Sequence, residues 1–164
     1  VTAESLAMRY GADITKASVA GLLHDCAKCI PNDKKLKMCK KHHIEISEME
    51  EQNPSLLHAK LGAYMAEHVY NVTDPEILSA IRWHTTAKPD MSLLDIIVYM
   101  ADYIEPNRDK APDLKEIRKL SFENIEEALF RVLEGTLSYL SDRPNAIDPM
   151  TKISYDFYKW KLKK

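Results

Sequence analysis

The sequence predicts an all-α fold, a helical bundle, from its composition and its hydrophobic spacing. The chain of 164 residues contains only 4 glycines, and almost no stretch shows the alternation that is typical of a half-buried strand. Its hydrophobic residues, 45% of the total, recur at helical spacing along most of the chain. A chain of this length fits one domain with its own core. We therefore predict a single domain over residues 1–164.

The first two helices are predicted from an apolar stripe and from residues suited to helix ends. Apolar residues between Ala3 and Tyr10 lie on one helical face, and Gly11 is suited to end that helix. Asp13 can act as the N-cap of a second helix. That helix is expected to run from Ile14 to about His24 or Asp25.

The next three helices are predicted from start signals of different kinds. Pro31 can begin a lysine-rich surface helix over about 31–42. Ser47 and Glu50 have the spacing of a capping box, which opens a short helix. The segment from Leu57 to Val69 has the pattern of a further helix.

The rest of the chain also has a helical pattern, with one helix more apolar than the others. Asp74 and Pro75 supply a cap and a first-turn proline for a helix over 75–84. Ser92 opens a run from Leu93 to Ile104 that is apolar on nearly every side, which predicts a central, buried helix. The last three helices are predicted near 113–120, over about 123–141 and after Asp148-Pro149.

Charge, hydropathy and cysteine content argue against several classes of partner and compartment. The formal net charge of −2 and the pI near 6.3 provide no basic field for nucleic acid. No apolar run approaches the roughly 20 residues of a membrane span, and no secretory pattern opens the sequence. The odd number of cysteines, 3, argues against a disulfide framework and favours the reducing cytoplasm. Because the chain begins at Val1 directly in helical sequence, we expect further residues before it in the natural protein.

The adjacent pair His24-Asp25 is the first indication of chemistry in the sequence. It ends the apolar run 19–23, where a carboxylate and an imidazole are costly unless a partner compensates them. Asp102 likewise interrupts an apolar run, and His58 and His84 each lie at a predicted helix end. Any one of these histidines is more often a hydrogen-bonded core residue. Taken together, the five side chains predict one metal site, for which mixed histidine and carboxylate ligands admit iron, manganese or zinc.

Two glycines and a group of polar residues lie near these candidate ligands. Gly21 and Gly62 each fall one helical turn from a candidate ligand, which we interpret as space kept for a bound group. Cations and hydroxyls just beyond the ligands are suited to hold phosphoryl oxygens. The candidates for phosphate binding are Lys28, Thr85, Thr86, Lys88 and Arg108.

The remaining cysteines and histidines are given structural or solvent-exposed roles. Cys26-x-x-Cys29 has the spacing of half a zinc site or a redox pair, but the sequence offers no second pair and no βαβ pattern. We interpret these thiols as packing residues. His42, His43 and His68 are expected to face solvent.

Four blocks of sequence, in order along the chain, resemble the YqeK family of bacterial HD-domain phosphohydrolases. The blocks are Ala20-Gly-Leu-Leu-His-Asp-Cys-Ala-Lys28, Leu57-His-Ala-x-x-Gly-Ala63, Ala80-Ile-x-x-His-Thr-Thr86 and Tyr99-Met-Ala-Asp-Tyr-Ile-Glu-Pro-x-Arg108. The resemblance covers most of residues 1–108. It implies an HD-domain helical bundle and the symmetrical hydrolysis of diadenosine tetraphosphate to two molecules of ADP.

The resemblance also implies a role for each candidate residue. One metal would be held by His24, Asp25 and Asp102, and Asp25 would bridge to a second metal held by His58 and His84. The implied metal is a pair of iron ions, with manganese or other divalent cations as alternatives. In this scheme a hydroxide bridging the two cations attacks the substrate, and the positive charges that assist it near the phosphates are Lys28 and Arg108. Thr85 is a further substrate contact.

The sequence departs from the family pattern at two positions. The HD pattern begins with a further histidine, expected a few residues before Thr2, which this chain does not reach. Ala87 stands where the family usually places a glycine, so the local loop and the fit of the nucleotide are expected to differ.

The leading hypothesis is thus a metal-dependent hydrolase acting on a dinucleoside polyphosphate. The nearest alternative is another HD nucleotide phosphohydrolase or phosphodiesterase, and a different one is a non-catalytic nucleotide-binding regulatory domain. Oxygen-activating di-iron chemistry is disfavoured because the Glu-x-x-His pairs of ferritin-like sites do not occur. The sequence leaves a homodimer open.

Overall fold

The computed structural model describes residues 1–141 and 147–163 and, within them, is helical with no β-strand. The all-α prediction is confirmed. In chain order the helices are α1 (Thr2–Tyr10), α2 (Ile14–Leu23), α3 (Asn32–Lys41), α4 (Glu48–Gln52), a 3₁₀ helix (Pro54–Leu57), α5 (His58–His68), α6 (Pro75–Trp83), α7 (Leu93–Tyr103), α8 (Leu114–Glu123), α9 (Ile125–Tyr139) and α10 (Pro149–Lys161).

Helix α7 is the central element, as its apolar run predicts. Its residues from Leu94 to Met100 are buried, and it packs against α1, α2, α6 and α9. A capping box fixes its start, because Ser92 and Asp95 each accept the backbone N–H of the other. The core around α7 draws on helices from both halves of the chain.

A second, smaller cluster lies beneath the turn that follows α2. It is formed by Ala27, Cys39, Leu57 and Leu61. Helix α3 therefore packs one face against the 3₁₀ helix and α5. Lys35 on α3 is only 4% exposed, so the predicted lysine-rich surface helix has one buried lysine.

Two helix boundaries, the start of α5 and the end of α8, differ from those predicted for local reasons. Helix α5 is preceded by a separate 3₁₀ turn rather than beginning at Leu57. Helix α8 continues to Glu123, beyond the expected end near residue 120. It ends there because Asn124 is extended and caps α9 by accepting the N–H of Glu127.

The C-terminal helix, α10, is hydrogen-bonded to the segment that leads into α7. The hydroxyl of Tyr158, whose side chain is fully buried, accepts the backbone N–H of Met91 at 3.0 Å. Within residues 1–141 and 147–163, none of the helices combines the length and the apolar character that a membrane crossing requires.

Candidate metal centre

Four helix ends bring the five candidate ligands together. His24 ends α2 and Asp25 follows it, His58 begins α5, His84 ends α6, and Asp102 lies in the last turn of α7. These ends meet because α2, α5, α6 and α7 pack side by side. Side chains that are distant in sequence therefore converge at one point.

The three histidine rings are oriented in the same way. Each Nδ1 lies 2.7 Å from the carbonyl oxygen three residues earlier, which belongs to Gly21, Ser55 or Ile81. A carbonyl oxygen only accepts, so these contacts assign the ring proton to Nδ1. Each Nε2 then presents a lone pair to the centre, which is the orientation of metal-binding histidines in proteins.

The distances between ligand atoms are those that a bound cation requires. Two atoms that each lie about 2.1 Å from one cation are about 3.0 Å apart in an octahedron and about 3.4 Å apart in a tetrahedron. The Nε2 atoms of His58 and His84 lie 3.1 Å apart. Asp25 Oδ1 lies 3.4 Å from His58 Nε2 and 3.6 Å from His84 Nε2. On the other side, His24 Nε2 lies 3.5 Å from Asp25 Oδ2 and 3.6 Å from Asp102 Oδ1.

Asp25 provides the clearest test of whether these residues fit a metal. Its Oδ1 atom is buried and accepts no hydrogen bond, although a buried carboxylate oxygen normally has a partner. The two oxygens of Asp25 face different histidines, Oδ1 toward His58 and His84 and Oδ2 toward His24. That arrangement suits a carboxylate shared between two cations. The donor set therefore fits divalent metal ions.

Among the residues that the structure describes, two groups of three have ligand atoms that lie within 4.8 Å of one another. One group is His24, His84 and Asp102, and the other is Asp25, His58 and His84. His84 belongs to both, whereas the resemblance implied that Asp25 alone would be shared and that His24, Asp25 and Asp102 would form the first set.

The charge states of these groups favour cation binding. Burial acts to raise the pKa of both carboxylates, but contacts with His84 and Lys28 outweigh it for Asp25, and contacts with His24 do so for Asp102. The pKa of each carboxylate therefore lies below its ordinary value. Burial lowers the pKa of His58. At neutral pH the centre thus presents two ionised carboxylates and a neutral His58, the forms that bind metals.

Three of the five predicted phosphate-binding residues lie beside this centre. Lys28, with 61% of its side chain exposed, places Nζ 2.6 Å from Asp25 Oδ2. Arg108 Nη2 lies 3.7 Å from Asp102 Oδ1, and Thr85 Oγ1 lies 3.4 Å from His84 Nε2. Lys28 and Arg108 line a cavity of about 510 Å³ together with His24, Asp25 and Asp102.

Two other predicted phosphate contacts have structural roles instead. The Lys88 ammonium group lies 3.2 Å from the buried carboxylate of Asp95 and donates to the Ser79 hydroxyl. The Lys88 ammonium group therefore stabilises the start of α7, and its partners are not candidate metal ligands. The hydroxyl of Thr86 donates to the carbonyl of Ala87. Ala87 itself has a φ of 60°, in the left-handed region that favours glycine and is strained for an alanine.

The glycines near the ligands lie where neighbouring segments come close together, and Gly21 also lines the cavity beside the ligands, so the interpretation that they leave space for a bound group stays a prediction. A Cβ on Gly21 would lie 3.2 Å from Ala3 Cβ of α1. A Cβ on Gly62 would lie 3.4 Å from the carbonyl oxygen of His24. Gly62, on α5, thus faces the turn that carries His24 and Asp25 at a distance that a Cβ would meet as an ordinary van der Waals contact.

The remaining histidines and cysteines lie largely as expected. His43 and His68 are exposed, but His42 is half-buried, stacked on Tyr64, whose hydroxyl lies 2.9 Å from His42 Nδ1. Cys26, Cys29 and Cys39 are free thiols. Cys26 Sγ contacts the Gly62 carbonyl at 3.6 Å, which is a packing contact between α5 and the ligand turn.

Sequence reasoning missed the groups that orient the ligands. The three carbonyls at Gly21, Ser55 and Ile81 carry no side-chain signal, although the i−3 relationship at a helix end could have suggested them. Lys35 was also missed: its Nζ donates to the carbonyl of Lys28 at 3.2 Å and so holds the turn that carries His24 and Asp25. No signal in the sequence indicated this role, because Lys35 lies among other lysines in a predicted surface helix.

This geometry agrees with the comparisons with known proteins. The HD-domain family model matches residues 1–107, and the chain belongs to the HD-domain family. The chain is 37% identical over 156 residues to the symmetrical bis(5'-nucleosyl)-tetraphosphatase of Bacillus subtilis, covering 95% of this chain and 83% of that protein. It is 35% identical to the protein of the same name from Halalkalibacterium halodurans, over 94% and 82% of the two chains.

A solved structure shares the whole fold. The HD-superfamily hydrolase from Clostridium acetobutylicum, described as involved in NAD metabolism, superposes with a TM-score of 0.92 at 36% identity. The match covers 98% of this chain and 84% of the other. The HD-domain bundle implied by the four sequence blocks is thereby confirmed.

Proposed function

We propose that this protein is a metal-dependent phosphoanhydride hydrolase that cleaves diadenosine tetraphosphate symmetrically into two molecules of ADP. Membership of the HD-domain family and close relatives named symmetrical bis(5'-nucleosyl)-tetraphosphatases support this function. The observation that carries it is the convergence of three histidine Nε2 atoms on the carboxylate of Asp25. That carboxylate has a buried oxygen without a hydrogen bond, beside a cavity to whose lining Lys28 and Arg108 contribute positive charge.

The residues proposed to hold divalent cations are His24, Asp25, His58, His84 and Asp102. When bound, such cations supply Lewis acidity that activates water and neutralises phosphate charge. The carboxylates contribute the negative charge that retains the cations. The backbone carbonyl three residues before each histidine fixes the orientation of its ring, so that the Nε2 lone pairs are directed at the cations. No separate protein base is required in this scheme.

The substrate-binding residues are proposed to act on the polyphosphate. A tetraphosphate bridge carries several negative charges, and Lys28 can reach it because its long side chain is mostly exposed at the cavity. Arg108 offers a fixed guanidinium fork, whose Nε is buried without an acceptor in the structure. The positively charged side chains of Lys28 and Arg108 both stabilise the negative charge that develops on the phosphate under attack. Thr85, whose Oγ1 lies 3.4 Å from His84 Nε2, is proposed to donate its hydroxyl to a phosphoryl oxygen.

Product identification tests this function most simply. The metal-loaded protein is incubated with diadenosine tetraphosphate, nucleoside monophosphates and cyclic nucleotides, and the products are separated by chromatography. ADP as the sole product, with one solvent oxygen incorporated per pair of ADP molecules, supports symmetrical hydrolysis. AMP with ATP contradicts it, cleavage of the other nucleotides alone indicates a different HD activity, and tight binding without turnover indicates a regulatory domain.

Three finer proposals accompany this function. Iron is proposed as the resident metal on the family resemblance, with manganese or another divalent cation as the alternative that elemental analysis would reveal. The cytoplasm is proposed as the compartment because Cys26, Cys29 and Cys39 are free thiols. A homodimer is proposed as the assembly to test, and light scattering distinguishes it from a monomer.

A further inference from the structure

Arg118 lies on α8, outside the candidate metal centre. Its side chain donates hydrogen bonds to the backbone segment that follows α7. Its Nε donates to the carbonyl of Ile104 at 3.1 Å. Its Nη2 lies 2.7 Å from the carbonyl oxygen of Glu105, 3.0 Å from that of Arg108 and 3.4 Å from that of Pro106. One side chain therefore contacts four carbonyl oxygens of residues 104–108.

This segment connects a proposed metal ligand to a proposed substrate contact. It begins directly after α7, whose last turn carries Asp102, and it ends at Arg108. The Arg108 guanidinium donates to the Asp102 carbonyl at 3.1 Å and lies over the Tyr103 ring. The position of this guanidinium at the cavity thus depends on how the backbone of 104–108 is held.

The chemistry of Arg118 is suited to holding such a segment. The carbonyls of residues 104–108 follow the end of α7 at Tyr103, so they lack the helical hydrogen bonds that carbonyls inside a helix accept. A guanidinium is permanently charged and has five N–H donors in a rigid plane, whereas a lysine ammonium is a compact point charge on a flexible stem. Helix α8, which carries Arg118, is itself packed against α9 and α1.

We propose that Arg118 is a positioning residue for the hydrolase reaction, acting through Arg108. It holds the 104–108 backbone in the conformation that presents the Arg108 guanidinium to the phosphates of the substrate. This inference rests on the proposed function, because it assigns Arg108 to phosphate binding.

A double-mutant cycle tests the proposal. The wild type, Arg118→Met, Arg108→Met and the double variant are compared in kcat/KM for diadenosine tetraphosphate, in affinity for ADP and in metal content. We expect Arg118→Met to lower kcat/KM about tenfold and to weaken ADP binding, with unchanged metal content. In the Arg108→Met background the same change is expected to have less than a twofold effect, because the residue through which Arg118 acts is gone.

A matched control separates positioning from stability. Arg9 also donates to a backbone carbonyl, that of Phe122 at 2.7 Å, but outside the site. Arg9→Met is expected to lower Tm while leaving kcat/KM and ADP affinity unchanged. Arg118→Lys, which keeps the charge but loses the planar fork, is expected to show a severalfold loss and serves as the second variant should Arg118→Met fail to fold.

Three results overturn the proposal. One is unchanged kcat/KM and ADP affinity in folded Arg118→Met or Arg118→Lys. Another is losses that multiply in the double variant, which would show that Arg118 acts independently of Arg108. The third is loss of metal on substitution of Arg118, which would place its effect on Asp102. Failure of the wild type to cleave diadenosine tetraphosphate would overturn the proposed function instead, and the cycle would then still be measured on ADP affinity.

Discussion

The Nε2 atoms of His58 and His84 face each other at 3.1 Å, although each ring directs its Nδ1 hydrogen to a backbone carbonyl. Two nitrogen lone pairs at this distance repel each other unless a positive charge lies between them. Asp25 Oδ1, buried and without a hydrogen bond, points to the same place. A cation at this place would accept a lone pair from each of the three atoms. The assignment of a metal site therefore rests on the contact between the two Nε2 atoms.

Replacement of Asp25 by asparagine tests the shared carboxylate. Asp25→Asn keeps the shape of the side chain but removes the charge that both sets of histidines face. Loss of groups that only orient metal ligands costs about 10–100-fold in metal affinity or activity, so we expect a loss of at least about a hundredfold in turnover. Asp33→Asn, at an exposed position on α3, is the control. Near wild-type turnover in Asp25→Asn, with helicity confirmed by circular dichroism, would contradict the mechanism.

Metal addition is expected to stabilise the folded protein. The ligands come from four helix ends that meet only in the folded state, so a cation at a hundred times its Kd adds about 2.7 kcal/mol to the free energy of unfolding. For a chain of this size that corresponds to a rise in Tm of about 5–10 °C. The measurement is differential scanning calorimetry before and after chelation. An equal rise in the Asp25→Asn protein would show that the metal binds elsewhere.

Lys28→Met tests the phosphate contacts without disturbing the fold. The side chain is mostly exposed, and exposed ion pairs contribute little to stability, so Tm is expected to change by less than about 2 °C. We expect KM for diadenosine tetraphosphate to rise about tenfold, since one charge-assisted contact is worth about 1.4 kcal/mol or more. Lys37→Met, on the exposed face of α3, is the matched control. Equal KM values in the two variants would remove Lys28 from the site.

Ser92→Ala tests how far the central helix depends on its cap. Loss of the N-cap hydroxyl is expected to cost about 1 kcal/mol, or about 2–4 °C in Tm. Because the centre lies at the other end of α7, kcat/KM at 25 °C is expected to be unchanged. Ser138→Ala, at an exposed position on α9, should leave Tm as it is. A large loss of activity in Ser92→Ala would show that the register of α7 depends on this cap.

Tyr158 makes the folded protein sensitive to alkaline pH. Burial raises the pKa of Tyr158 to about 12 from an ordinary value of 10.0. Between these values the unfolded chain loses this proton and the folded protein keeps it, so the free energy of unfolding falls as pH rises from 10 toward 12. Tyr158→Phe is expected to show a shallower decline in urea unfolding over this range. The exposed Tyr139→Phe is expected to keep the wild-type slope, and identical slopes in all three proteins would contradict the assignment.

Most helix boundaries could be predicted from the sequence because local chemistry determines them. The side chains of Ser47 and Glu50 form the predicted capping box, and Asp13 and Asp74 cap their helices as expected. The five ligand candidates could also be identified, since charged and polar residues in apolar runs require compensation.

The parts that could not be predicted depend on contacts between distant segments. The presence of His84 in both ligand groups follows from the packing of α6 between α2, α5 and α7, which no local pattern encodes. The pairing of Lys88 with Asp95 and the burial of Lys35 likewise depend on partners that the folded chain brings close. Arg118 was overlooked because its four acceptors are backbone atoms.

Metal binding by the His84→Asn protein tests the central claim most directly, because His84 Nε2 lies 3.1 Å from His58 Nε2 and 3.6 Å from Asp25 Oδ1, where the ligand atoms converge. After loading with iron or manganese and removal of free metal, elemental analysis gives the metal bound per chain. We expect the wild type to bind metal in a stoichiometric amount per chain, and folded His84→Asn to lose most of that metal. Undiminished metal in that variant, or a wild type that retains none under saturating conditions, would contradict the central claim.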